Sequence, residues 1–301
     1  MDKELEIQLN NIIKKGTLLF DEPMKKHTTF RIGGKADCYV EPAMDEVEPL
    51  ISYLTEQKIP YTLMGNGSNL LVSDSGIEGV TVSFGTSMSE VTVDGCILKA
   101  QAGILLSRLA SFAASHSLSG LEFASGIPGT LGGAITMNAG AYGGEMKDVV
   151  VSVKVLQEGE VREYSCEEMD FSYRHSRVLK EDMIVLEVTM NLIPGEEQDI
   201  LSRMKELNSR RVEKQPLNFP SAGSTFKRPE GYFAGKLIED AGLKGYTVGG
   251  AQVSTKHSGF VINTGDATAE DVRQLIRDVQ KIVKEKFGVS LEPEVRMIGR
   301  S

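Results

Sequence analysis

The sequence predicts an α+β chain of two or three domains, and three observations predict it. The chain has 301 residues, more than one hydrophobic core usually serves. Strand-like alternation dominates residues 77–195, whereas helical spacing of apolar residues dominates 4–15, 47–54 and 272–287. Between these blocks lie glycine- and proline-marked breaks, above all the stretch GLEFASGIPGTLGGAITMNAGAYGGEM (120–146), which holds eight of the chain's 31 glycines.

Taken in order, Leu5, Leu9, Ile12 and Ile13 repeat at helical spacing and Gly16 stops the helix. A strand is expected within 27–42, and Val47, Leu50, Ile51 and Leu54 line a second helix with Pro49 placed in its first turn. The strand beginning YTLM follows Pro60, which suggests a small βαβ unit. Asp94-Gly95 marks a hairpin, and 104–118 reads as an apolar helix on which His116 caps or packs. Strands resume at 148–156 and 184–192. A polar helix follows at 196–214, and Pro216 and Pro220 mark a linker. Thr268 with Asp271 three residues on forms a weak capping box for a helix carrying Val272, Leu275, Ile276, Val279, Ile282, Val283 and Phe287, which Gly288 ends. The last residues, VSLEPEVRMIGRS, alternate as a strand.

With 41% hydrophobic and 25% charged residues the chain has the composition of a globular protein with a core. A net charge of −9 excludes a broad basic surface for nucleic acid or anionic membrane, although a few basic residues in one cleft still serve a small anion. The three cysteines, Cys38, Cys96 and Cys166, are few and scattered, so no disulfide framework is implied. The acidic start is no secretion signal, and no apolar run nears the roughly 20 residues that span a bilayer. A cytoplasmic location without membrane insertion is therefore expected. The four histidines show no metal-ligand spacing, so no metal is expected.

Four polar segments are candidate sites. The stretch 120–146 spaces Gly126, Gly129 and Gly132 so that backbone N–H groups can line an anion. It also reads as tight turns between buried strands. Gly65, Asn66, Gly67, Ser68 and Asn69 form a second such turn. It is neither a dinucleotide fingerprint, because Leu70 and a strand follow, nor a Walker loop, because it has no lysine; a plain hairpin loop is the alternative. In DFSYRHS, Arg174 in a semi-apolar setting suits a carboxylate or phosphate, unless the segment is a surface loop. Ser221, Ser224, Lys227 and Arg228 likewise suit an anion or an exposed loop.

Seven segments in order, HTTFRIGGKAD, GNGSNLLV, GLEFASGIPGTLGGAITMNAGAYG, DFSYRHS, AGSTFKRP, AGLKGYTVGGAQVS and LEPEVRMIG, resemble the UDP-N-acetylenolpyruvoylglucosamine reductase family across residues 27–299. The similarity is to its shorter form, which lacks an inserted tyrosine-bearing substrate loop. The resemblance implies a two-domain FAD-binding fold of the vanillyl-alcohol oxidase type, spanning 1–76 joined by 289–301, and 77–195. It implies a UDP-sugar-binding α/β domain at 196–288. It implies non-covalent FAD on Gly65, Asn66, Gly67, Ser68, Asn69, Gly126, Pro128, Gly129, Gly132, Gly133, Asn138 and Gly140, and NADPH as hydride donor. The implied substrate is UDP-N-acetylglucosamine enolpyruvate, reduced to UDP-N-acetylmuramate for peptidoglycan. Arg174 would steady the developing carboxylate charge, Glu294 would polarise or exchange protons beside it, and Ser224 would protonate C2. Tyr173, Lys214, Lys227, Arg228 and His257 would contact substrate. A monomer is expected. An oxygen-using oxidase of the same fold and a catalytically silent nucleotide-sugar binder are the alternatives. The AGSTF and EPEVR segments speak against the first. Retention of Arg174, Ser224 and Glu294 speaks against the second.

Overall fold

The computed structural model describes residues 3–300. Met1, Asp2 and Ser301, which the expected first domain includes, lie outside the described residues. Helices and strands are mixed throughout, as an α+β chain requires, and the residues divide into two compact units, each built from three chain segments. The first unit comprises Met1–Leu19, Tyr39–Asn66 and Val80–Arg211; the second comprises Phe20–Cys38, Gly67–Gly79 and Val212–Ser301.

In the first unit a five-stranded antiparallel sheet runs in the order Glu160–Ser165, Val150–Gln157, Met183–Asn191, Ile97–Gln101, Val91–Asp94. The hairpin at Asp94-Gly95 forms as expected, with Asp94 opposite Ile97. The central strand buries Met183, Ile184, Val185 and Leu186 in succession, so both of its faces are covered there, and beyond Glu187 it alternates, burying Val188 and Met190. Helix Leu106–Ser115 lays Leu106, Leu109, Ala110 and Ala113 into this core, one stripe at i, i+3, i+4 and i+7. His116 ends it, with Nδ1 2.9 Å from the Phe112 carbonyl oxygen.

The glycine-dense stretch is not wholly turn. Leu131–Thr136 forms a short helix, and Gly132 packs 3.0 Å from Ala102 at the position a Cβ would take. The Gly132 N–H donates to the Ala102 carbonyl at 2.8 Å. Helix Met44–Glu56 begins earlier than its periodicity suggests, which corrects one expectation. Pro49 is its sixth residue, not a first-turn residue, and leaves the Asp45 carbonyl without an i+4 donor. The early start follows from Glu46. Its carboxylate accepts the N–H of Ala43 at 2.9 Å, and also those of Lys14, Lys15 and Gly16 at 2.5, 2.6 and 2.9 Å. That helix leads into strand Tyr61–Met64, which pairs in parallel with Val80–Ser83.

In the second unit the sheet order is Ser221–Ser224, Phe260–Asn263, Ala251–Val253, Thr247–Val248. Helix Ala269–Phe287 covers it with Val272, Leu275, Ile276, Val279 and Val283. Each such side chain contributes about 2 kcal/mol when fully buried. The expected cap is present: Asp271 N–H donates to Thr268 Oγ1 at 3.0 Å and Thr268 N–H to Asp271 Oδ2 at 3.0 Å. Gly288 closes the helix at φ 71°. Strand Arg296–Ile298 returns to pair in parallel with Leu70–Val72, and Arg300 holds Asp37 through two 2.6 Å contacts.

Glu46 supplies the first prediction. Burial alone would raise its carboxyl, but four backbone donors outweigh this and hold it below the usual carboxylate range. A depressed folded-state value means the stabilisation is present at neutral pH and is lost as pH falls through that value. Glu46→Ala is expected to cost about 3 kcal/mol in urea unfolding at pH 7. The gap from wild type should shrink steadily below about pH 4, where the unfolded carboxyl also binds a proton.

Candidate functional site

Two of the predicted loops meet in the first unit. Gly65 follows strand Tyr61–Met64, and a Cβ added there would fall 2.1 Å from Thr130 Oγ1. Only a residue without a side chain fits. The neighbouring Asn66 donates through Nδ2 to the Pro128 carbonyl at 2.6 Å. The two glycine-rich segments that sequence reading singled out, 62 residues apart, are thus one structure at this point.

The rest of the second loop is accounted for locally. A Cβ at Gly126 would lie 2.5 Å from Asn208 Oδ1 and 3.2 Å from Arg211 Cδ, on the helix Glu197–Lys214. The Gly129 carbonyl accepts the Leu106 N–H at 3.0 Å, tying the loop to helix Leu106–Ser115. Gly133 lies in the short helix, and Gly140 pairs with Glu145 in a small hairpin. Asn138 is fully buried and its amide is engaged inside the unit. Tyr173 and Arg174 form the tip of a turn, with Arg174 at φ 55° and its guanidinium 5.1 Å from the Tyr173 ring centre.

Arg211 is the residue that sequence reading missed. It is half-buried, and desolvation pushes its guanidinium below the usual arginine range. Among the described residues no carboxylate pairs with it. A cation held so is stabilised by an anion brought from outside. Its only sequence signal was the basic pair in SRRVEK, on a helix whose polarity otherwise marks a solvated face.

The second unit holds the other candidates. Gly67, at φ 59°, Ser68 and Asn69 belong to it. Asn69 donates through Nδ2 to the Glu294 carbonyl at 3.1 Å, and its own carbonyl accepts the Arg296 N–H at 2.9 Å. Ser224 ends the strand Ser221–Ser224, exposed and opposite Phe260. The chain continues alongside the C-terminal segment: the Thr225 carbonyl accepts the Glu294 N–H at 2.8 Å, Phe226 bridges Pro293, and Lys227 N–H donates to the Glu292 carbonyl at 2.8 Å. Buried Thr225 locks this run by accepting the Val261 N–H at 2.9 Å. Ser224 and Glu294, 70 residues apart in sequence, are therefore near neighbours in one unit.

The basic residues around them differ from one another. Lys227 is ion-paired with Glu292 at 2.5 Å, so its charge is largely compensated. Arg228 stands over Phe233, its guanidinium carbon 4.0 Å from the ring centre. Such stacking fixes a guanidinium while leaving its edge to bind. Lys214 is the exposed last residue of its helix. Burial lowers His257 below the usual imidazole range, and its Nδ1 accepts the Gly259 N–H at 3.1 Å, so the neutral ring offers Nε2–H as a donor. Among the described residues no group of three metal-ligating side chains is placed to hold an ion, and no helix is long and apolar enough to cross a membrane.

Two family models match the chain: an FAD binding domain over residues 36–165, and the UDP-N-acetylenolpyruvoylglucosamine reductase C-terminal domain over 215–298. The UDP-N-acetylenolpyruvoylglucosamine reductase of Caldanaerobacter subterraneus subsp. tengcongensis is 57% identical over 294 residues, covering 97% of each chain. That of Clostridioides difficile is 50% identical over 300 residues, covering 99% of each. The crystal structure of the Thermus caldophilus reductase superposes with a TM-score of 0.80 at 35% identity, covering 94% of this chain and 98% of its own.

Gly65→Ala tests the junction of the loops. Overpacking costs about 1–3 kcal/mol of stability, read as a lowered midpoint of urea unfolding. Gly65→Ala combined with Thr130→Ala, which removes the 2.1 Å clash, should recover most of that loss.

Proposed function

Because the chain belongs to the UDP-N-acetylenolpyruvoylglucosamine reductase family, we propose that residues of its two units divide the work of that reduction. The chain is an FAD-dependent oxidoreductase of peptidoglycan precursor synthesis, reducing UDP-N-acetylglucosamine enolpyruvate to UDP-N-acetylmuramate with NADPH. FAD supplies, when bound, a two-electron carrier that takes hydride from NADPH and delivers it to C3 of the enolpyruvyl group.

The residues of the first unit fit a dinucleotide cofactor. Gly65 and Gly126 let their loops pack closely on Thr130 and Asn208, and Arg211 beside Gly126, with no carboxylate partner among the described residues, brings a positive charge suited to a pyrophosphate. Gly65, Asn66, Gly67, Ser68 and Asn69 with Gly126, Pro128, Gly129, Gly132, Gly133 and Gly140 hold it, without a covalent link. The domain reading that accompanies this assigns 1–76 with 289–301, and 77–195, to the cofactor, and 196–288 to the UDP-sugar.

Arg174 receives the charge that builds on C2 and its carboxylate once C3 has gained hydride. A fixed guanidinium aimed at such charge contributes several kcal/mol. Ser224 gives C2 its proton and regains one from solvent. A hydroxyl is a weak acid, so this step depends on a strongly basic carbanion and close placement. Glu294 polarises the site beside it. Tyr173, Lys214, Lys227, Arg228 and His257 bind substrate, with Arg228 presented on Phe233 to the diphosphate. Lys227 acts as half of an ion pair and not as a bare charge. The enzyme works in the cytoplasm as a monomer.

The observation that carries the assignment of roles is the backbone ladder that sets Ser224 and Thr225 beside Glu294. Purified protein is expected to be yellow and to oxidise NADPH only when the enolpyruvyl UDP-sugar is added; a colourless protein that FAD cannot reconstitute would refute the reading. Ser224→Ala should leave flavin reduction by NADPH within about twofold and slow substrate-dependent reoxidation by roughly 100- to 10,000-fold. Equal loss in both half-reactions would remove Ser224 from its role.

A further inference from the structure

Asn138 lies in the glycine-dense segment, where sequence reading gave it to the cofactor, but its side chain is turned to the turn that carries Arg174. It is 0% exposed. Nδ2 donates to Glu145 Oε2 at 2.6 Å and to the Ser172 carbonyl at 3.1 Å, and Oδ1 accepts the Lys147 N–H at 3.0 Å. Both amide protons and one acceptor position are thus used within the unit. Its φ of 41° is a left-handed value that asparagine tolerates better than most side chains.

Ser172 and His175 exchange backbone hydrogen bonds at 3.0 and 3.1 Å, leaving Tyr173 and Arg174 as a two-residue tip. The Ser172 carbonyl therefore accepts twice, from His175 within the turn and from Asn138 outside it. On the far side of the tip Ser176, also 0% exposed, donates to the Thr136 carbonyl at 2.9 Å. Thr136 and Asn138 stand two residues apart at the end of one short helix. The arginine turn is consequently tethered before and after its tip to a single rigid point. Glu145 is itself fixed by Lys147 at 2.7 Å.

We propose that Asn138 is a positioning residue for Arg174: its amide fixes the turn so that the guanidinium meets the substrate carboxylate, and it does not hold the flavin. The inference rests on the role given to Arg174 above. An error of about 1 Å in placing such a group costs on the order of 100-fold.

The test uses anaerobic stopped-flow on the flavin-loaded enzyme, reading flavin reduction by NADPH and its reoxidation by the enolpyruvyl UDP-sugar separately. Asn138→Gly keeps the backbone angle and deletes the amide. It should keep flavin content and reduction by NADPH within about threefold, while reoxidation slows by roughly 10- to 100-fold. Asn138→Asp keeps the shape but sets an acceptor against Glu145 and Ser172, and should slow reoxidation at least as much. Added to Arg174→Ala, Asn138→Gly should cause no further loss, because it acts through the arginine. Flavin loss, or equal slowing of both half-reactions, in both Asn138 variants would overturn the proposal and leave the Arg174 assignment standing. So would an additive double variant. An unchanged reoxidation rate in Arg174→Ala would instead overturn the assignment on which the proposal rests.

Discussion

The first unit depends on a contact that no side chain could survive. Gly65 stands against Thr130 because there is nothing on its α-carbon to strike Oγ1. That approach lets Asn66 reach the Pro128 carbonyl, which converts two loops from distant parts of the chain into one surface of backbone. The same segment then runs into the short helix Leu131–Thr136, whose far end fastens the Arg174 turn through Ser176 and Asn138. The glycine junction and the Arg174 turn are in this way two ends of one small rigid piece. Small residues at one end permit the approach, and buried polar residues at the other fix the direction.

The second unit solves a similar problem by pairing strands. Ser224 stands on an exposed strand end. Its place is set by the ladder that lays residues 224–227 beside 292–294, with Thr225 buried beneath as the anchor. Asn69 adds a side-chain bond to the Glu294 carbonyl. Asn69 and Asn138 thus do comparable work: each comes from a glycine-rich loop, and each donates from its amide to a backbone carbonyl of a distant segment, Glu294 and Ser172.

Much of this was legible where the physics is local. Thr268 and Asp271 cap a helix, Asp94-Gly95 turns a hairpin, and Gly288 ends a stripe of Val and Leu, because each depends on residues a few positions apart. The glycine spacing singled out two segments that do meet, Gly65 against Thr130 and Asn66 on Pro128. Contacts across long separations were not legible. Nothing near Asn138 says that its amide faces Ser172, and nothing near Lys227 says that Glu292 takes its charge. Arg211 hid in a helix that looks merely solvated, since burial by a loop from residue 126 leaves no trace in the helix itself. Pro49 misled because the helix begins where the Glu46 carboxylate gathers the backbone donors around it.

The parallel pairing of Arg296–Ile298 with Leu70–Val72, secured by Arg300 on Asp37, has a bearing on how the molecule is made. A ribosome delivers residues 20–38 and 67–79 long before the strand that completes them. Strand Leu70–Val72 must wait for its parallel partner through the synthesis of more than 200 further residues. Closure over such a separation is slow, because chain entropy has to be surrendered before the late contacts reward it. The Val80–Arg211 stretch, whose sheet is contiguous in the chain, is free to collapse early. Assembly of the nascent chain is therefore ordered, with the half that holds Ser224 and Glu294 finishing last.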